Sequence, residues 1–161
     1  MAFWKKKERL FSIKISAPLY NALGDDWATR FEAHGAYAIL IEENDLEKSV
    51  DEYRKALILA RDHHLDQDKH SAHAVAIQNN NLAWVLWNKC GSEEAILYYG
   101  RALDLLESYL FTGIIEKKAA LELLQHVGKA LMKIYSDTGR VKEAEWLTRR
   151  LNENGITMKE K

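Results

Sequence analysis

The segment 78–107, QNNNLAWVLWNKCGSEEAILYYGRALDLLE, indicates the fold more clearly than any other part of the chain. It contains an apolar helical run, a break at Cys90 and Gly91, and a second helical run. In the second run the small residues Ala95 and Ala102 are seven positions apart, with Tyr99 between them. Seven positions are about two turns of an α-helix, so these three residues share one helix face. The segment is therefore predicted to form two antiparallel helices joined by a short turn.

The composition of the whole chain favours one soluble helical domain. Its 161 residues are 47% hydrophobic and 29% charged, and it has one Pro and eight Gly to interrupt helices. The formal net charge of -1 supplies no concentrated basic surface for phosphates, so we expect no nucleic-acid partner. The single Cys cannot form an internal disulfide, which favours a cytoplasmic location. No apolar run reaches the roughly 18 residues that span a bilayer, so we expect no transmembrane segment.

Residues 1–24 form a basic and aromatic N-terminal segment. Its first twenty residues carry five basic side chains and one acidic side chain, Glu8, interleaved with apolar residues such as Phe3 and Trp4. Two interpretations remain open for this segment. It packs its apolar side chains on the first helices, or residues 1–16 make a weak contact with a membrane surface. The packed arrangement is preferred, because the apolar residues show no clean helical stripe.

Helical spacing continues on both sides of the opening segment. Apolar periodicity and helix-breaking residues predict helices at 27–43, 46–63, 71–89, 93–110, 115–136 and 141–152. These helices pair into hairpins at about 26–63, 71–110 and 115–152. The hairpins form a helical domain at 25–154, which is followed by a tail at 155–161.

One spacing of residues occurs three times along the chain. Its copies are Ser49, Tyr53 and Ala56; Ala95, Tyr99 and Ala102; and Ala144, Thr148 and Leu151. Successive copies begin 46 and 49 residues apart. A small residue at a helix crossing lets two helices approach closely, and stacked hairpins bury one another's apolar faces. The predicted fold class is therefore all-α, with about three antiparallel hairpins stacked in one array.

The middle copy resembles the tetratricopeptide repeat, and in particular the longer repeats of kinesin light chains. The residues at the family's signature positions are Leu82, Ala83, Leu86, Ala95, Tyr99, Ala102 and Leu103. The match is fullest over 76–107 and weaker over 37–56 and 131–151, and the copies are farther apart than the family's usual repeat of about 34 residues. The resemblance implies helix pairs stacked into a right-handed superhelix. Its concave groove, lined by the first helix of each pair, would bind an extended peptide or a partner helix.

The resemblance places the partner-binding groove on the first helices of the hairpins. Asn81 matches a position where the family often has an Asn that hydrogen-bonds the backbone of a bound peptide. An amide suits this role because it both donates and accepts. Helical spacing puts Asn81 on one face with other residues of its helix, namely Ile77, Asn80, Trp84 and Asn88. The alternative for the asparagines is a polar helix surface without a function.

The flanking hairpins extend the predicted groove in both directions. The corresponding stripe of the first hairpin is Trp27, Phe31, His34, Ala38 and Ile41, and that of the third is Glu122, His126, Lys129 and Lys133. We include His34, His126, Lys129 and Lys133 in the candidate site. The groove would be apolar at one end and basic at the other, which suits a partner with an apolar anchor and an acidic end. The alternative for the two lysines is ordinary solvation.

No catalytic or metal-binding motif stands out in the sequence. The polar connection 62–73 holds His63, His64, His70 and His73 together with Asp62, Asp66 and Asp68. Imidazoles and carboxylates suit zinc or nickel, but the spacing matches no recognised metal motif, so a polar loop is the preferred interpretation. The chain also has no phosphate-binding loop, nucleophile elbow or dinucleotide fingerprint. We therefore expect a protein that is not an enzyme and uses no metal or cofactor.

The sequence as a whole favours an interaction scaffold or adaptor that binds a protein or peptide partner in the groove. One alternative is a homodimer or other homo-oligomer that associates through the C-terminal helix. Trp146 lies on that helix, and either Ile156 and Met158 cover it or a second copy does. The other alternative is a membrane-surface adaptor that uses the basic N-terminal arm.

Overall fold

The computed structural model describes residues 27–68, 71–110 and 117–157, and all regular structure within these ranges is helical. The helices are α1 (Trp27–Ile41), α2 (Leu46–Asp62), α3 (Ala72–Asn88), α4 (Ala95–Leu110), α5 (Lys117–Asp137) and α6 (Val141–Glu153). The predicted all-α class is confirmed, and the described helix ends lie within two residues of those predicted. The N-terminal segment 1–24, the predicted start of the fifth helix at 115 and the end of the tail from 158 lie outside the described residues.

Local signals set the ends of several helices. At the start of α2, the Asp45 carboxylate accepts a hydrogen bond from the backbone N–H three residues later, at 3.0 Å. Ser92 accepts one from the backbone N–H two residues later, at 3.3 Å. Tight turns of hydrogen bonds between residues three apart follow Ser92, so α4 begins at Ala95 rather than at residue 93. Gly91 and Gly139, in the turns of the second and third hairpins, adopt φ of 62° and 69°, which glycine allows without a steric cost.

The helices stack as consecutive hairpins. Each helix packs on the next one in the chain, and α3 also contacts α5. α1 approaches α3 closely at Gly35, where a Cβ atom would lie 2.1 Å from Nε2 of Gln78. The first helices of the hairpins, α1, α3 and α5, are therefore neighbours. The second helices α2 and α4 each pack against the first helix of the following hairpin.

The repeated small and aromatic residues lie where the hairpins pack. All members of the first two copies are buried: Ser49, Tyr53, Ala56, Ala95, Tyr99 and Ala102. Ser49 donates its hydroxyl to the carbonyl oxygen of Ala38 at 2.7 Å, across the crossing of α1 and α2. In the third copy Leu151 is buried, but Ala144 is half-buried and Thr148 is exposed. The difference follows from position, because no further helix packs on α6 within the described part of the chain.

The C-terminal tail is partly built into the core. Ile156 is buried in the same apolar cluster as Leu147 and Leu151, and its backbone N–H donates to the carbonyl oxygen of Leu151 at 2.9 Å. Trp146 nevertheless stays 51% exposed, with the guanidinium of Arg150 lying 5.1 Å from its ring centre. Ile156 therefore packs on the core side of α6 and leaves the Trp146 side chain largely open.

Gly35 provides a test of the contact between α1 and α3. Gly35→Ala is expected to lower the free energy of unfolding by about 1–3 kcal/mol, because the new methyl group overlaps the buried Gln78 side chain. Gly100→Ala is the matched control, since no atom lies within 4 Å of its Cβ position. That control should gain about 1 kcal/mol from the better helix propensity of alanine. Urea unfolding followed by circular dichroism measures both variants, and equal stabilisation of the two would contradict the close approach of α1 to α3.

Candidate partner-binding surface

The helix α3 is enclosed by its neighbours on several sides. Every residue from 75 to 86 is buried, and the helix contacts α2, α4, α5 and Gly35 of α1. A helix buried all round normally carries apolar side chains all round. α3 instead carries four consecutive amide side chains that are at most 3% exposed: Gln78, Asn79, Asn80 and Asn81.

Each of these four amides has one atom that finds no hydrogen-bond partner among the described residues. The atoms are Oε1 of Gln78, Oδ1 of Asn79, Oδ1 of Asn80 and Nδ2 of Asn81. Asn80 and Asn81 are joined only by an Nδ2–Oδ1 contact of 3.5 Å, which is long for a hydrogen bond. A buried polar atom without a partner costs about 1–3 kcal/mol. The amide run therefore lowers the stability of the chain, and a binding partner that supplied the missing hydrogen bonds would recover part of that cost.

The amide run faces in two directions around α3. With 3.6 residues per turn, Asn80 and Asn81 lie on the side of the predicted groove, whereas Val75 and Asn79 lie on the opposite side. On the groove side Ile77 is buried, at 7% exposure. The structure thus puts the predicted groove residues of α3 on one face, but most of that face is enclosed. Sequence reasoning singled out the asparagines and overlooked the neighbouring Gln78, whose place at the end of the same amide run was the available signal.

The C-terminal end of this face opens to solvent. Trp84 is 8% exposed, and Trp87 is half-buried. Asn88 is exposed, and its Nδ2 donates to the carbonyl oxygen of Trp84 at 3.0 Å. The accessible part of the predicted groove on α3 therefore lies towards Asn88.

The predicted groove residues of α5 are accessible. His126 is half-buried, and Lys129 and Lys133 are exposed. The ammonium of Lys133 donates to the carboxylate of Asp137 at 2.8 Å, one turn later on the same helix. Lys129 makes no ion pair with any side chain of the described ranges. α5 contacts α3, so the helix that carries this basic stripe lies beside the helix that carries the amide run.

His34, the predicted groove residue of α1, contacts a buried carboxylate on α2. Its Nδ1 lies 2.6 Å from Oε2 of Glu52, and the ammonium of Lys55 donates to Oε1 of Glu52 at 2.7 Å. The Glu52 side chain is 5% exposed, and that of His34 is 12% exposed. This network ties α1 to α2, and sequence reasoning did not identify Glu52 because its partner His34 lies on another helix.

The ionisation of Glu52 makes the stability of the first hairpin depend on pH. Burial raises the pKa of the Glu52 carboxyl, but hydrogen bonds and charge from Lys55 and His34 outweigh burial, so that this pKa lies below its usual value. A carboxyl whose pKa is lowered by folding adds stability above its unfolded pKa of about 4.3, and that stability is lost as the pH falls through the folded pKa. We therefore expect Glu52→Gln to lower the free energy of unfolding more at about pH 7 than at about pH 3.

Urea titrations of the parent and the Glu52→Gln variant at both pH values measure this difference. Glu47→Gln is the control, because Glu47 is exposed on the same helix. A cost of Glu52→Gln that does not change with pH would contradict the ionic network.

The histidine-rich connection after α2 shows no metal site in its described part. Within the described ranges, no group of three or more His, Cys, Asp or Glu side chains is placed to hold a metal ion. His63, His64 and His73 belong to those ranges, whereas His70 does not.

None of the described helices is long and apolar enough to cross a membrane.

Comparison with known proteins identifies no relative that would suggest a function for this surface. No protein-family model, curated protein or solved structure matches the chain. A function for this chain is therefore inferred from the contacts, burial and charges of the described residues.

Proposed function

We propose that this chain is a non-enzymatic interaction scaffold of tetratricopeptide-like hairpins that binds a partner segment along α1, α3 and α5. The observation that carries the proposal is the pair Asn80 and Asn81 on α3. Within the part of the chain that the structure describes, Oδ1 of Asn80 is an acceptor without a donor and Nδ2 of Asn81 is a donor without an acceptor. A peptide unit offers the complementary N–H and C=O groups, whatever its side chains.

Burial of the two asparagines sets how a partner reaches them. Asn80 and Asn81 are 2% and 0% exposed, so a partner contacts their amides only after neighbouring side chains move aside. Ile77 and Trp84 share their helix face, so we expect these two side chains to be among those that move. This rearrangement costs free energy before the new hydrogen bonds form. We therefore expect a modest affinity and a slow association rate.

The charge next to this face selects the partner's composition. Lys129 offers an exposed ammonium, and the half-buried His126 lies near it on the same helix. Trp84 offers an aromatic surface once it is displaced. The partner that fits is an extended segment with an apolar side chain beside Trp84 and an acidic side chain beside Lys129.

A displayed library of random peptides tests this proposal across many partner sequences at once. Peptides that the parent chain enriches are synthesised, and their dissociation constants are measured by fluorescence anisotropy. Asn80→Ala combined with Asn81→Ala is expected to weaken binding by about tenfold or more, because two hydrogen bonds of about 1 kcal/mol each are lost. Asn152→Ala, which removes an exposed amide from α6, should leave binding unchanged.

The same library separates the proposal from its alternatives. Enriched peptides should carry acidic residues. Lys129→Glu should lower the affinity for these peptides, while circular dichroism shows an unchanged helical fold. The absence of any enriched peptide, or equal affinity for the parent and the double asparagine variant, would overturn the groove assignment.

Self-association through α6 is the second candidate function. Val141 and Trp146 are 63% and 51% exposed on this helix, which is more than a stacked helix normally shows. An open groove of about 470 Å³ is lined by Val141 of this helix and by Met132 of α5. Light scattering should then show a dimer at high concentration that Val141→Glu abolishes, whereas a monomer at every concentration would exclude this candidate.

A further inference from the structure

A cavity lies between α2 and α4, on the side of α3 opposite the predicted groove. Both helices pack on α3, and the cavity above it has a volume of about 530 Å³. That volume lies within the range of about 300–1,000 Å³ typical of small-molecule sites. Val75 and Asn79 of α3 contribute to its lining, together with Asp66 from the connection after α2.

Two residues that line the cavity each have a buried oxygen atom that receives no hydrogen bond from the described ranges of the chain. Nδ2 of Asn79 donates to the carbonyl oxygen of Val75 at 2.9 Å, and because a carbonyl only accepts, the orientation of the amide is determined. Oδ1 of Asn79 is then left without a partner, although the residue is only 3% exposed. Oδ1 of Asp66 is buried and unpartnered as well. The Tyr109 hydroxyl donates to the backbone oxygen of Asp66 at 3.1 Å and holds this connection in place.

Cations surround the same cavity. Arg54 pairs with Glu94 at 3.1 Å, and Arg61 pairs with Asp62 at 2.9 Å. Arg101 lies 5.4 Å from the ring centre of Tyr98 and has no acidic partner among the described side chains. Arg101 therefore has donors available for a carboxylate.

These charges exclude the simplest ligands. A plain anion would place its charge near the carboxylates of Asp66 and Asp104, and a plain cation or metal ion would lie among three guanidinium groups. The apolar lining, which includes Leu57 and Leu105, requires a nonpolar body. An ammonium supplies the several N–H donors that two acceptors need.

We propose that this cavity binds a small zwitterion with an ammonium, an apolar body and a carboxylate, the class of apolar amino acids and short peptides that begin with one. The ammonium donates to the buried oxygens of Asp66 and Asn79, which it reaches once the side chains around them move aside, and the carboxylate pairs with Arg101. The apolar side chain of the ligand packs between α2 and α4. This site is separate from the proposed partner-binding face, because Asn79 and Asn81 point to different sides of α3.

Titration calorimetry with the full chain tests this inference. The probes are L-leucine, L-phenylalanine and the dipeptide leucyl-alanine, and the matched analogues are N-acetyl-L-phenylalanine and L-phenylalaninamide. At least one probe should bind, and loss of its ammonium or its carboxylate should weaken binding by about tenfold, as expected for a lost charge-assisted hydrogen bond. The dipeptide compared with the free amino acids shows which member of the class fits.

Two variants locate the bound ligand. The Asn79→Leu variant should bind the best probe about tenfold or more weakly than the parent does. The thermal midpoint of the variant should not fall, because the substitution removes an unpaired buried amide. Arg101→Gln should bind the amino acid and its amide analogue equally. Arg149→Gln, which removes an exposed guanidinium from α6, should bind as the parent does.

Two results would overturn the inference. One is the absence of binding of every probe to the parent chain. The other is binding that neither the analogues nor Asn79→Leu weakens. Both leave the peptide-library experiment on Asn80 and Asn81 unaffected, so the two proposals fail independently.

Discussion

Tyr99→Ala is expected to lower the free energy of unfolding by about 3–5 kcal/mol, a large share of the total stability of an ordinary domain. Tyr99 is 1% exposed and belongs to the main apolar cluster, with Ala95 and Ala102 on the same face of α4. Removing its ring leaves a cavity between α4 and the helices packed on it. Rigid helices on both sides cannot close such a cavity without losing other contacts.

The third hairpin supplies the matched control for Tyr99. Thr148 occupies the equivalent position of α6 but is exposed, so Thr148→Ala should change the free energy of unfolding by no more than about 0.5 kcal/mol. Leu97→Ala is a second control, because Leu97 lies on the same helix as Tyr99 but is 48% exposed. It should lower the free energy of unfolding by less than about 1 kcal/mol. Urea unfolding of the three variants gives the comparison. Equal costs at Tyr99 and Thr148 would mean that the repeated position is not a packing position in the second hairpin.

The same comparison shows which parts of the fold a sequence can predict. The spacing of Ala95, Tyr99 and Ala102 is a local property, because positions four and seven apart meet on one helix face in any α-helix. Helix ends are local as well, since capping side chains and glycines act within a few residues. These signals were enough to predict the helix ends and the burial of the first two copies of the repeated spacing. The exposure of Thr148 needed one further fact, that no other helix of the described ranges packs on α6 beyond α5.

The candidate site was harder to predict because its geometry is not local. The helical period correctly put Asn80 and Asn81 on one face of α3, but it carries no information about how many helices enclose that face. Gly35 and Gln78 meet although 43 positions separate them, and no spacing rule connects them. The opposite face, where Asn79, Asp66 and three arginines line one cavity, likewise depends on α2 and α4 packing on α3. Whether the groove residues bind a partner stays a prediction.

Arg150→Ala is expected to lower the free energy of unfolding by about 2–4 kcal/mol, because it leaves a mostly buried carboxylate without its partner. Nε of Arg150 donates to both oxygens of Glu107, at 3.1 and 2.8 Å, and Nη2 also bonds Glu107. Nη2 further donates to Asp104 at 2.6 Å. The Glu107 side chain is 13% exposed and that of Arg150 is 23% exposed, so solvent screens this pair less than it screens a surface pair.

The position of this pair explains why the effect should be large. Arg150 lies on α6 and Glu107 on α4, and Nδ2 of Asn154 donates to the same carboxylate at 3.0 Å. The pair therefore fastens the third hairpin to the second, through a helix on which Val141 and Trp146 stay more than half exposed. Hydrogen exchange should show the loss as reduced protection of α6 amides first, with those of α3 affected least.

Two further variants separate the ion pair from the rest of the Arg150 side chain. Arg149→Ala removes an equal charge from an exposed neighbour and should cost no more than about 0.5 kcal/mol. Arg150→Met combined with Glu107→Leu removes both charges and keeps apolar volume, so it should be more stable than Arg150→Ala, because no carboxylate is left buried and unpaired. If the double variant were as unstable as Arg150→Ala, neither the unpaired carboxylate nor the lost apolar stem would explain the cost, and the contacts of the guanidinium itself with Asp104 and the Trp146 ring would be what holds α6 in place.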